Sequence, residues 1–184
     1  MKRLRSILAL LAMTLMTVAP LNAQTPKMAS TGGNSAHETT STVVDGNRVT
    51  VTYGRPAAKG RKIWGELVPF GKVWRTGSDE ATTLITQKDI MIGDLAVPAG
   101  AYTLYTQPEE NGSCKLIVNK TLGQWGIPYS QKSTELGRVE MQKEATAGPV
   151  ELFTIKVAKG ASGGGMLQLS WENSMYSVPI TAKK

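Results

Sequence analysis

The sequence predicts an all-β single domain, an antiparallel β-sandwich or jelly-roll-like fold of about nine or ten strands following a signal peptide. Three observations predict it. From about His37 onward, successive segments alternate apolar and polar residues with period two, as strands with one buried face do. Clusters of Gly, Pro, Asn and Asp punctuate those segments at short intervals. No stretch beyond the leader sustains a helical period over the roughly 11 residues that such a helix needs.

Taken in order, Lys2, Arg3 and Arg5 precede an uncharged apolar run from Ile7 to Ala19. A basic start, a short apolar run and small residues beyond it form the layout of a secretory signal peptide. The run falls well short of the roughly 20 residues that span a bilayer as a helix, so no transmembrane segment is expected after cleavage. Cleavage after Ala23 gives residues 1–23 as signal peptide and a mature chain that is secreted or periplasmic. No Cys follows the run, which excludes a lipoprotein. Residues 24–36, rich in Thr, Ser, Gly and Asn, read as a flexible lead-in, and 37–184 as the domain.

Within the domain, Val49, Val51 and Tyr53 alternate with Arg48, Thr50 and Thr52, and Asp45-Gly46-Asn47 before them signals a hairpin turn. Thr82 to Gln87 and Asp89 to Ile92 read as short strands around Lys88, followed by a Gly93-Asp94 turn. Leu95 to Val97, Ala101 to Gln107 and the Cys114 segment follow. Arg138 to Gln142, Val150 to Ala158, Met166 to Glu172 and Met175 to Ala182 complete the set, with Gly148-Pro149 and Asn173-Ser174 as breaks. Pro179 marks the last as an edge strand, because proline cannot donate to a ladder. Two segments lack alternation, Gly54 to Asp79 and Lys120 to Thr134. Irregular segments of that length in a compact domain tend to be functional.

The counts exclude some chemistry. One Cys and one His cannot build an internal disulfide or a Cys/His zinc centre. Cys114 shares phase with Leu116 and Val118 and reads as a small core residue. His37 has no nucleophile motif in phase with it, and the neighbouring carboxylates Asp79-Glu80 would point to opposite faces of an extended chain. No metal, cofactor or catalytic residue is assigned. The formal charge of +7 divides into +3 on the leader and +4 on residues 24–184. Between Tyr53 and Gly77 six basic residues face one acid, with aromatics interleaved. Arg forks match carboxylate, sulfate or phosphate. The same side chains would equally serve to satisfy loop carbonyls, with Arg75 paired to Glu80. Trp and Tyr in the irregular segments suit sugar rings as well. A modest charge on an exported chain argues against nucleic acid as partner.

Tyr53-Gly54-Arg55-Pro56, Lys59-Gly60-Arg61-Lys62-Ile63, Leu67-Val68-Pro69, Val73-Trp74-Arg75-Thr76-Gly77 with Glu80-Ala81-Thr82, and Pro98-Ala99-Gly100 with Tyr102 and Leu104 together resemble the domain-of-unknown-function 2911 family of exported bacterial proteins. The similarity continues through Asn119-Lys120, Trp125-Gly126 and Trp171-Glu172. It implies a secreted or periplasmic β domain of unassigned activity and carries over no catalytic residues. Gly54, where Ser is more usual, and Asp79, where Asn is common, depart from the pattern.

The residues thus favour a non-catalytic ligand-binding or envelope-associated domain whose ligand is an anionic or carbohydrate small molecule. The candidate ligand-binding residues are Arg55, Arg61, Arg75, Glu80, Tyr53, Trp74, Tyr102 and Trp125. A carbohydrate-active or other hydrolytic enzyme using Arg, Glu and Asp, and a purely structural envelope protein, are the alternatives.

Overall fold

The computed structural model describes residues 35–183; the leader and the lead-in up to residue 34 lie outside them. Nine strands form one antiparallel sheet: β1 Ala36–Val44, β2 Asn47–Arg55, β3 Ser78–Thr86, β4 Ile90–Ile92, β5 Leu95–Val97, β6 Gly100–Pro108, β7 Cys114–Asn119, β8 Glu135–Lys159 and β9 Gly165–Ala182. Their order across the sheet is β1-β2-β3-β6-β7-β8-β9-β4-β5. Asp45 and Gly46 join β1 to β2 at φ of 49° and 71°, the left-handed pair that a two-residue turn matched to strand twist requires.

The alternation places the core as read. Val49, Val51 and Tyr53 on β2, Leu167, Leu169 and Trp171 on β9, and Cys114, Leu116 and Val118 on β7 are all buried in one apolar cluster. Burial pushes the Cys114 thiol up to about 12, so it behaves as a packing residue rather than a nucleophile. A smaller cluster of Ala81, Tyr105 and Ile117 is packed by Val73 and Tyr129 from the two irregular segments.

Several boundaries differ from expectation. The expected strands 138–142 and 150–158 are one strand, β8, and 166–172 and 175–182 are one strand, β9. Gly148-Pro149 and Asn173-Ser174 do not break the chain because β8 and β9 pair on both sides of them. Ala145 stands opposite Ser174 and Val150 opposite Glu172, with the register shifting between. The irregularity is a bulge, which a sequence reads as a turn because both use the same residues. Nor is β9 an edge: it lies between β8 and β4. Pro179 is accommodated because the β8 ladder ends at Gln142 opposite Ser177 and the β4 ladder begins at Ile92 opposite Ile180. The first strand, β1, begins at Ala36.

β8 is the element that turns the sheet over. It pairs with β7 as far as Met141 and with β9 from Gln142 onward. The far end of β8 thereby returns to β1 and β2 without forming a ladder with them, so the sheet is not closed into a barrel. Side chains make up the missing bonds. Thr42 Oγ1 donates to the Val157 carbonyl at 2.8 Å, the Ile155 N–H donates to Tyr53 Oη at 3.0 Å, and Arg55 Nε donates to the Phe153 carbonyl at 3.2 Å. Just beyond, Phe153 N–H donates to the Pro56 carbonyl and Ala58 N–H to the Glu151 carbonyl. Tyr53→Phe is therefore expected to cost about 1–3 kcal/mol, since it leaves a buried backbone N–H without its acceptor. Urea unfolding of the two proteins measures it; a difference below about 0.5 kcal/mol would show that the seam is held by packing alone.

Candidate functional site

The seam between β2 and β8 opens at one end into a cleft of about 530 Å³, within the range of small-molecule sites. Its floor is aromatic. Trp74 and Trp171 stack at 5.7 Å with planes 17° apart, and both line the cleft. Trp74 is held by two backbone bonds with Thr106 on β6, at 2.7 and 2.9 Å. Trp171 on β9 donates its indole N–H to the Glu151 carbonyl and accepts from the Trp64 indole at its own carbonyl. Leu67 and Val68 from the first irregular segment, Ile127 from the second and Leu152 from β8 form apolar walls.

Among the described residues, four basic ones, Arg55, Lys59, Arg61 and Arg75, line the cleft, and no Asp, Glu, Asn, Gln, His or Cys does. The three arginines differ in what they already hold. Arg55 is engaged on every side: Nε with the Phe153 carbonyl, Nη2 with Thr154 Oγ1 at 3.0 Å, and Nη1 with Glu38 Oε2 at 2.8 Å. Its charge is neutralised and it acts as the clasp of the seam. Arg61 donates to the Ala58 and Ala57 carbonyls at 2.9 and 2.6 Å, fixing the turn after Pro56, and has no ion pair with a described carboxylate.

Arg75 is different. Among the described residues it has no ion pair; its guanidinium carbon sits 5.3 Å from the Trp125 ring centroid and Nη1 reaches only the Trp125 carbonyl, at 3.5 Å. Its Nε is buried without an acceptor, and Ser78 Oγ and Asp79 Oδ2, close by in sequence, are buried without a hydrogen-bond partner. Native interiors leave few such groups unpaired. Burial pushes the Arg75 pKa down, opposed by the charges of Asp79 and Glu80. The backbone here is strained as well. Thr76 and Asp79 stand at φ of 58° and 62°, a conformation that a β-branched residue such as Thr76 rarely adopts. Thr76 is kept there by bonds from its hydroxyl to Thr106 Oγ1 and from Thr82 Oγ1 to its carbonyl at 2.6 Å. Strain of this kind costs about 1–3 kcal/mol and concentrates at sites that need a fixed geometry.

The remaining residues singled out from sequence are dispersed. Tyr53 is buried in the seam. Tyr102 is also buried, its hydroxyl donating to the Pro98 carbonyl, and does not line the cleft. Glu80 does not form an ion pair with Arg75; it holds His37 Nε2 at 2.8 Å across β2. Trp125 does not line the cleft but covers Arg75 from the second segment. The sequence missed Trp171, Leu152, Ile127 and Lys59. Trp171 has the phase of a core residue, and nothing local links Ile127 or Leu152 to the basic loop.

The second segment is anchored independently. Arg138 forks onto Glu135 at 2.7 and 2.8 Å, and Tyr129 donates to the same carboxylate at 2.7 Å while accepting from Asn119. The Arg138 hydrogen bonds hold the Glu135 carboxyl below its ordinary 4.5. A depressed folded-state pKa gives stability that is complete above the unfolded value and lost as pH falls through the folded one. The stability difference between the native protein and Glu135→Gln is accordingly expected to be constant above pH 4.5 and to shrink below it, as read by urea unfolding at stepped pH. A difference that grows on acidification would refute the assignment.

Among the described residues no group of three or more His, Cys, Asp or Glu is placed to hold a metal ion. No curated protein and no solved structure matches the chain. A family model described as a protein of unknown function, DUF2911, matches residues 35–180, which span every strand but the end of β9 and both segments around the cleft. With its nine-stranded sheet and both irregular segments inside that match, the chain belongs to the DUF2911 family.

Proposed function

We propose that the protein is an exported, non-catalytic binding domain that holds a small anionic molecule in the cleft over Trp74 and Trp171. The observation that carries this reading is Arg75: a permanently charged, partly buried guanidinium with no ion-pair partner among the described residues, in a cleft whose described lining is basic and apolar apart from Ser35 and Ser78. An anion supplies the missing acceptors and compensates the charge. Arg61 and Lys59 add positive potential at the rim, whereas Arg55 is already matched by Glu38. Among the described residues the lining offers no carboxylate, imidazole or thiol to serve as general acid, base or nucleophile, which supports binding over hydrolysis. The leader's three-part layout supports export.

Isothermal titration with phosphate, benzoate, glucuronate and laurate tests the reading. At least one is expected to bind saturably. Arg75→Gln is expected to weaken it by about tenfold or more, the loss of a hydrogen bond to a charged group. Absence of saturable binding by all four would overturn the reading. So would binding that Arg75→Gln leaves unchanged in a variant with a native melting curve.

A further inference from the structure

We infer that the ligand of this cleft is an amphiphilic anion, a carboxylate or similar head on an apolar chain, and not a carbohydrate; the inference rests on the cleft binding an anion at all. Two independent features lead to it. The first is the balance of donors and acceptors. Sugar hydroxyls donate as well as accept, and a site that selects them must offer acceptors. Among the described residues the only side-chain acceptors in the lining are the hydroxyls of Ser35 and Ser78, and Ser78 Oγ is itself buried. The nearby backbone carbonyls are spent on arginines: Ala57 and Ala58 on Arg61, Phe153 on Arg55 and Trp125 on Arg75. What remains available is donors, which suits a head group made only of acceptors.

The second feature is the mouth. Leu67, Ile127 and Leu152 are 43%, 45% and 41% exposed, and all three line this one cleft although they come from three separate segments of the chain. A single exposed leucine needs no explanation, but three large apolar side chains converging on one basin with a tryptophan floor form a continuous apolar surface. A head group at Arg75 leaves an attached chain free to run over Trp74 between Leu152 and Ile127, covering surface that is otherwise wetted. Phosphate or a uronic acid would satisfy the arginine and leave the apolar walls in water.

Tryptophan fluorescence and calorimetric titration with laurate below its micellar concentration, alongside glucuronate, phosphate and dodecanol, test this. Laurate is expected to bind at one site, tighter than glucuronate or phosphate by tenfold or more, with dodecanol weaker than laurate. Leu152→Asn, at an exposed position where the fold is expected to be retained and a melting curve checks it, should weaken laurate about fivefold through lost apolar contact. It should leave glucuronate unchanged. Arg75-dependent binding of glucuronate or phosphate without laurate would overturn the amphiphile and leave the anion site standing. Laurate binding indifferent to both Arg75→Gln and Leu152→Asn would overturn it as well, by placing the chain elsewhere. Failure of all the anions would remove the underlying reading too.

Discussion

Trp171→Ala is expected to lower the unfolding free energy by about 4 kcal/mol, the cost of emptying a large aromatic site that cannot collapse. Trp171 is 1% exposed and ties β9 to both β8 and the first irregular segment. It stacks on Trp74 from the first irregular segment, packs on Phe153 of β8 at 5.5 Å, and its indole N–H satisfies the Glu151 carbonyl at 3.2 Å. Truncation removes the dispersion contacts of the whole ring system, leaves a void and leaves the Glu151 carbonyl with the Ala58 N–H as donor. In a domain of this length the melting temperature should fall by about 10 °C. Because Trp171 also lines the cleft, anion binding should weaken in the same variant. Trp125→Ala provides the contrast, since that ring is half exposed and should cost less than about 1 kcal/mol. A loss below about 2 kcal/mol for Trp171→Ala, measured by urea unfolding, would mean that Trp74 and Phe153 close the gap on their own.

Gly126→Ala should cost about 2–5 kcal/mol, from two sources that can be separated. Gly126 stands at φ of 95°, where an L side chain is strained, and a Cβ there would lie 2.8 Å from Arg75 Cβ, 3.0 Å from Ala81 Cβ and 3.3 Å from Tyr105 Cε1. Backbone strain accounts for about 1–2 kcal/mol and overpacking for about 1–3 kcal/mol. Gly123, in the same segment, stands at φ of 68° with open space around it. Gly123→Ala therefore measures the backbone contribution alone, and the difference between the two variants measures the packing. The packing part also has a functional readout. Pushing the second segment away from Arg75 removes the Trp125 cover and shifts Ile127, so Gly126→Ala should weaken anion binding where Gly123→Ala does not. Equal stabilities for the two variants would show that the contact between Gly126 and Arg75 yields without cost.

The pattern of these effects follows what was legible at each level. Strand phase was legible because it is local. Residues two apart on a strand share a face, so Val49, Val51 and Tyr53, or Leu167, Leu169 and Trp171, declare their burial whatever the strand pairs with. The Asp45-Gly46 hairpin was legible because its left-handed turn has few residues that fit it. The two long irregular segments were legible as interruptions of that phase, and Arg61, Arg75 and Trp74, which lie on a single stretch of chain, line one cleft. Strand continuity was not legible. A bulge at Gly148-Pro149 and a turn there use the same residues, and only the partner strand running past both sides distinguishes them.

The sequence by itself determined an all-β chain, its inward faces and the basic, aromatic loop that would bear a site. The tertiary structure decided what that loop faces. It spent Arg55 on Glu38 and β8, gave Glu80 to His37 instead of Arg75, and brought Ile127 and Leu152 to the Trp74–Trp171 floor. The physical reason is the reach of the interactions involved. Periodicity records the environment of one strand, whereas the curl that returns β8 to β1 and β2 sums many weak terms of register, twist and packing over the whole sheet. Whether an arginine is matched or left unpaired is settled only when that curl has chosen its neighbours, and among the described residues it leaves Arg75 in the cleft with a buried Nε that has no acceptor.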